Sequence, residues 1–339
     1  ATGIYGGEIL ATSGVYGAGI GGGQGGVGEQ IYVYSGKLTV RSVSEGAGIG
    51  GGQGGPGRFI YIKGGTVNAG SESGGAGIGS GDQDGQNKSE DAHHIEISGG
   101  TVEAWSNYAG AGIGGGKPGE YYSNGHRYYN SYGTGSNGKL TINGSANVTA
   151  TSTNASGIGA GAYSTAPSSE SYTTGPNGVI SISGNAVVNA TGKFYGIGAY
   201  NDDGNGALAI SGGTVTARAT DEKASDSCGI GRIARFTVSG GTVNASGYTG
   251  IYSATVNGGV VTAESNQAAK GIGSLSSGQN RNGWVVSKPA QAAHRMNSGV
   301  LFSGDEGKII GEYCELPASL REIPAGAALT VDAGQELLV

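Results

Sequence analysis

Three segments of this chain gather side chains able to do chemistry. The first, GSGDQDGQNKSEDAHH at residues 79–94, sets Asp82 and Asp84 at alternate positions with Asn87 close behind. Hard oxygen donors in a Gly-rich, flexible segment suit Ca2+, with Asp82, Asp84 and Asn87 as the expected ligands. A solvated polar turn accounts for the same residues, and the spacing is not that of a helix-loop-helix calcium loop. His93 and His94 adjoin the next strand, where consecutive side chains face opposite ways, so the two do not share one metal. The second segment is NDDGNG, where Asp202 and Asp203 pair two carboxylates. Such a pair serves acid and base work in sugar chemistry, as Asp82 and Asp84 would, and it is also ordinary turn composition.

The third segment is rich in tyrosine. Residues 117–138 carry Glu120, Tyr121, Tyr122, His126, Arg127, Tyr128, Tyr129 and Tyr132, and residues 160–178 add Tyr163 and Tyr172. The chain has 18 Tyr against 4 Phe and 2 Trp, so its aromatic surface is mostly phenolic. A phenol ring offers a flat apolar face to a sugar ring and a hydroxyl to its edge. Carbohydrate binding and plain packing of these segments both explain the pattern. No G-x-S-x-G elbow, paired C-x-x-C or H-E-x-x-H occurs. The GIGGG runs are not phosphate loops, because no helix follows them and no Gly-Lys-Ser/Thr is present.

These segments must be held by something, and the repeat says what. A Gly-Ile signature returns at Ile20, Ile49, Ile78, Ile113, Ile158, Ile197, Ile230, Ile251 and Ile272, at spacings of 29, 29, 35, 45, 39, 33, 21 and 21. A second signature accompanies it, as FIYIKGGTVNA from Phe59, HIEISGGTVEA from His94 and ALAISGGTVTA from Ala207. I-x-I alternates apolar and polar, T-V-x-A alternates again after a Gly-Gly bend, and Gly-Ile adds one more inward apolar residue. Three short strands per coil of about 21 residues follow. A helix would need apolar residues three and four apart and would not tolerate glycine at this density. The 74 Gly in 339 residues approach a disordered composition, but they fall at fixed offsets, where corners need positive φ and backbones stack closely.

All the long insertions, 81–93, 117–138 and 160–178, leave between Gly-Ile and the following I-x-I. Equivalent corners stack in a solenoid, so these insertions are expected to form one wall along one edge, the usual binding side of a repeat protein. The expected organisation is a solenoid of about nine coils over 1–282, followed by a cap or the start of a further module over 283–339. The apolar C-terminal strand suggests a piece of a longer chain. Cys228 and Cys314 are the two cysteines, and a disulfide between solenoid and tail is one arrangement open to them. The net charge of −6 with 13% charged residues supplies no basic stripe for nucleic acid or anionic lipid. No apolar run reaches membrane-spanning length.

The units GAGIGGGQGG and I-x-I-S-G-G-T-V-x-A, with the tail sequence LREIPAGAALTVDAGQEL, resemble the Gly-rich repeats of large secreted or wall-attached bacterial proteins. That resemblance implies an all-β, right-handed parallel β-helix of pectate-lyase-like shape, carbohydrate-binding or built as an adhesin stalk. Three readings follow: extracellular glycan binding by the insertion-bearing edge; a glycoside hydrolase or polysaccharide lyase using Asp202, Asp203, Asp82 or Asp84; and a passive stalk.

Overall fold

The nine signature isoleucines form one column. In the computed structural model, Ile20, Ile49, Ile78, Ile113, Ile158, Ile197, Ile230, Ile251 and Ile272 pair in succession, each with its equivalent in the next rung, always in parallel. From Ile49 onward every member is at most 1% exposed. The structure describes residues 1–83, 94–123, 126–130, 138–162, 178–199, 206–267, 270–276, 282–289, 293–315 and 323–338. Among these residues every regular element is a strand, and stacked parallel strands make the chain a β-solenoid.

Two further ladders complete each rung. The I-x-I ladder runs through Ile4, Val33, Ile62, Ile97, Ile142, Ile182, Ile210, Val238 and Val256. The T-V-x-A ladder runs through Leu38, Val67, Val102, Val148, Val188, Val215, Val243 and Val261. Alternate residues of each strand point inward, and the three inward columns merge into one continuous core. In several rungs the bend between I-x-I and T-V-x-A is gentle enough for a single strand to span both, as in Gly28–Ser42, Ala207–Ala219 and Arg235–Gly247. Three strands per rung, as expected from the alternation, therefore become two at these places.

The signature glycines have separate causes. The residue after each of the first six isoleucines, Gly21, Gly50, Gly79, Gly114, Gly159 and Gly198, has φ between 130° and 147°. A side chain on Gly21, Gly50, Gly79 or Gly198 would also collide with the carbonyl of the equivalent glycine one rung on. The glycine before each isoleucine faces the T-V-x-A strand across a narrow interior. A Cβ on Gly77 would press on the backbone nitrogen of Trp105, and one on Gly112 on that of Thr151. The Gly-Ile strand thus packs backbone to backbone, with isoleucine as its one large inward side chain.

Parallel pairing continues past residue 282. Val261 pairs with Val285 and Val285 with Leu301, extending the T-V-x-A ladder through Gly299–Ser303. That strand then pairs antiparallel with Glu306–Ile310. The tail folds over the outer side of the ladder and buries Trp284, Val286, Val300, Phe302, Ile309 and Cys314 in a second apolar cluster. Trp284 and Phe302 are 5.0 Å apart, ring to ring. Outward positions are polar where the ladder meets water, as at Thr262, and apolar where the tail covers it, as at Val286.

Candidate functional site

The roots of the insertions stack. Gly52, Gly81, Gly116 and Gly161 sit one above another so closely that a Cβ on any of the last three would overlap the carbonyl of its predecessor. At the return side, the Val179 amide donates to Gly138 O at 2.8 Å, and the Ala207 amide to Gly178 O at 2.8 Å. The insertions therefore leave and re-enter along one edge of the rod.

Of the residues expected to act there, Asp84, Asn87, Tyr132, Tyr163, Tyr172, Asp202 and Asp203 lie outside the described residues, as does His93. Glu120, Tyr121, Tyr122, His126, Arg127, Tyr128 and Tyr129 all fall on one antiparallel hairpin formed by Gly119–Ser123 and His126–Asn130. Its backbone register sets Glu120 opposite Tyr129, Tyr121 opposite Tyr128 and Tyr122 opposite Arg127.

Asp82 is 4% exposed, and its carboxylate accepts a hydrogen bond from Lys117 Nζ at 3.4 Å. It belongs to a column of polar side chains at the insertion roots. There the Gln24 amide donates to Gln53 at 3.1 Å and the Gln53 amide donates to Glu45. An ammonium beside Asp82 already supplies the positive charge that a cation would bring. Among the described residues, no group of three or more His, Cys, Asp or Glu is placed to hold a metal ion.

The structure decides the pairing that the two cysteines leave open in the sequence. Cys228 and Cys314 are both buried and both free. Cys228 lies in the Gly-Ile ladder, paired with Tyr195 and Thr249, whereas Cys314 sits in the apolar cluster under the tail. Each belongs to a different packing unit, so no bridge forms between them. Burial pushes the Cys228 thiol up to about 12, and burial pushes Cys314 up to about 11.

Two aromatic groups stand on the outer surface of the described rungs. On the I-x-I face, Tyr5 stacks on Tyr34 at 4.7 Å with planes 6° apart, and Tyr32 on Tyr61 at 5.0 Å and 7°. His94 follows Tyr61 at 5.4 Å, tilted by 38°. Parallel rings this close lie face to face, so each stacked pair covers one face of each ring, while Tyr5 at the end of the rank stays 74% exposed. Lys63 Nζ, 5.3 Å from the Tyr34 ring, completes this rank.

On the T-V-x-A face a single indole is arranged differently. Trp105 pairs in register with Gly70, and its ring lies over that glycine, so that a Cβ on Gly70 would meet Cε2, Cδ2 and Cζ2 together. With one face on the backbone, the accessible part of the partly exposed ring is its outer face and edge. Planar polar groups frame it on both sides. Trp105 Nε1 donates to Asn68 Oδ1 at 2.9 Å, and Asn68 Nδ2 donates to Glu103 Oε2 at 2.8 Å. Opposite, Glu72 accepts from Arg41 Nε at 2.8 Å and from Asn107 Nδ2 at 2.7 Å. A flat apolar plate ringed by fixed donors and acceptors can hold a pyranose: its C–H face goes on the plate and its hydroxyls against the frame.

Sequence reasoning passed over Trp105 in favour of the tyrosine-rich insertions. The signal was present, because the 35-residue step from Ile78 to Ile113 is also the step from Gly70 to Trp105. That spacing alone places the indole above a residue without a side chain.

The family described as Beta helix repeat matches residues 4–24, 60–82, 95–117, 140–162 and 208–231. Each of the last four segments opens on the first apolar residue of an I-x-I strand and closes at or just past the end of a Gly-Ile strand, which is one rung. No curated protein and no solved structure gives a significant match. On its register and on these five repeats, the chain is a parallel β-helix repeat protein.

Proposed function

We propose that this β-helix binds glycan, as a secreted or cell-surface protein, with Trp105 as the plate on which a sugar ring stacks. The observation that carries the reading is the indole lying flat on Gly70 between Asn68–Glu103 and Arg41–Glu72–Asn107. The tyrosines of the I-x-I face stack on each other, whereas Trp105 stacks on backbone and keeps an outer face for a ligand. The carboxylates of this site are engaged by Asn68, Arg41 and Asn107, which suits them to orient hydroxyls.

A glycan array probed with wild type, Trp105→Ala and the insertion triple variant Tyr122→Ala/Tyr128→Ala/Tyr129→Ala tests the proposal. Trp105→Ala should weaken a bound glycan about 10- to 100-fold, equivalent to roughly 1 to 3 kcal/mol of lost stacking and burial. Loss in the triple variant alone would move the site to the insertion edge. An array without any hit would end the glycan reading and leave a passive rod.

A further inference from the structure

The face around Trp105 continues for five more rungs, and its composition along that length says what shape of ligand it fits. Strand register aligns the outward residues into two columns. One runs Asn68, Glu103, Thr149, Asn189, Thr216, Asn244, Thr262. The other starts at Trp105 and runs Thr151, Thr191, Arg218, Ser246, Glu264. Columns two residues apart on a strand stand about 6.6 Å from each other, and successive rungs are about 4.8 Å apart. The strip from Trp105 to Glu264 is therefore on the order of 24 Å long. Its far end is an open depression lined by Thr216, Asn244, Ser246, Thr262 and Glu264. Beyond Thr262 the same column becomes Val286 and Phe302, buried under the tail, so the polar strip stops where the cover begins.

From this we infer that the ligand is a neutral, linear glycan with an extended, ribbon-like backbone, lying along the rod axis with one ring on Trp105 and its far end at Thr216 and Asn244. The inference rests on the glycan-binding reading and deepens it. Direction follows from dimensions: across the rod the strand Thr101–Ser106 is six residues long and turns away at both ends, whereas along the axis the surface runs on. Threonine and asparagine suit such a ribbon, since methyl and methylene groups meet sugar C–H while hydroxyl and amide groups meet its hydroxyls. A helical glycan would rise off a straight strip after one or two residues. Charge selects against polyuronates: Glu103 and Glu264 lie in the strip with Arg218 between them, and the guanidinium nearest the plate, Arg41, is engaged by Glu72.

The test uses β-1,4-linked gluco-, xylo- and manno-oligosaccharides of two to six residues, with galacturonic acid oligomers of equal length, by calorimetry. Affinity should rise with each added residue of a neutral series up to about five or six, the number of rungs in the strip. The double variant Thr216→Ala/Asn244→Ala, three and four rungs from Trp105, should weaken the hexamer about tenfold and leave the dimer unchanged. Equal affinity for dimer and hexamer, or an unchanged hexamer in the double variant while Trp105→Ala abolishes binding, overturns the axial ribbon and leaves glycan binding at Trp105 intact. Binding that survives Trp105→Ala at every length overturns Trp105 as the plate and the strip with it, and no binding of any oligosaccharide by wild type overturns the proposed function itself. Galacturonate oligomers that bind as tightly as the neutral ones, or no binding by any neutral series, overturn the assignment of ligand class.

Discussion

Trp105 rests on Gly70: the indole of one rung covers the one position in the rung before it where a side chain would block it. The contact ties the plate to the backbone, so its orientation is set by strand register. Gly70→Ala is accordingly a subtler probe than removing the ring. The φ of Gly70 is not in the left-handed region, so the backbone accepts alanine, but the new methyl would overlap the six-membered ring. Glycan affinity should fall to near that of Trp105→Ala, while the melting temperature stays within a few degrees of wild type. An unchanged affinity would show that the indole need not lie flat.

Within one rung, Ile78 and Gly79 can be compared directly. Ile78 is fully buried in the Gly-Ile column, and Ile78→Ala should cost about 2 to 5 kcal/mol through lost burial and a cavity. Gly79 has φ 138° and no room beside the Gly114 carbonyl, so Gly79→Ala combines backbone strain with collision. The smaller chemical change should do at least as much damage. Urea denaturation of both variants decides it; a mild Gly79→Ala would show that the Gly-Ile ladder can shift to make room.

Much of this architecture is legible from spacing alone. The nine isoleucines, the alternation of I-x-I and T-V-x-A and the common exit corner of the insertions all follow from one rule, that each rung repeats the last. What breaks the rule is harder to read. Residues 283–339 lack the Gly-Ile signature, yet Trp284, Val286, Val300 and Phe302 still occupy ladder positions; they look irregular because their outward side chains are apolar to suit a cover. The free cysteines were unreadable for a similar reason, since pairing depends on where the tail lies. Trp105 escaped notice because a single outward aromatic matters only through the glycine beneath it, a relation between rungs that composition does not express.

Gln30 and Phe59 occupy equivalent places in successive rungs, and each has φ of 55°, a left-handed conformation unfavourable to side chains. Gln30 is exposed and Phe59 lies 6.4 Å from the His94 ring. Gln30→Gly should therefore stabilise the fold by about 1 kcal/mol. Phe59→Gly should gain less, because it also removes the ring beside His94. Thermal melts of the two variants separate the effects, and a destabilised Gln30→Gly would mean that the left-handed turn is imposed at no cost.

The buried thiols give a prediction with a sign. In the folded chain Cys228 is held up to about 12, against an ordinary value of 9.0, because burial penalises the thiolate. Between those values the unfolded chain loses its proton while the folded chain keeps it, so the unfolded state binds fewer protons and stability falls as pH rises. Below pH 9.0 both states hold the proton and the effect is absent. Other groups titrate in the same window, so the quantity to follow is the stability difference between wild type and Cys228→Ala. It should be constant from pH 7 to 8.5 and then shrink by up to about 1.4 kcal/mol per pH unit. In the folded protein at pH 8 neither Cys228 nor Cys314 should react with a thiol reagent, and reductant should leave the melting temperature unchanged, since neither is in a disulfide. Rapid labelling of Cys228 in the native state, or a pH-independent difference, would show that the Gly-Ile ladder opens at Tyr195–Gly198 and Cys228–Gly231 far more readily than its packing implies.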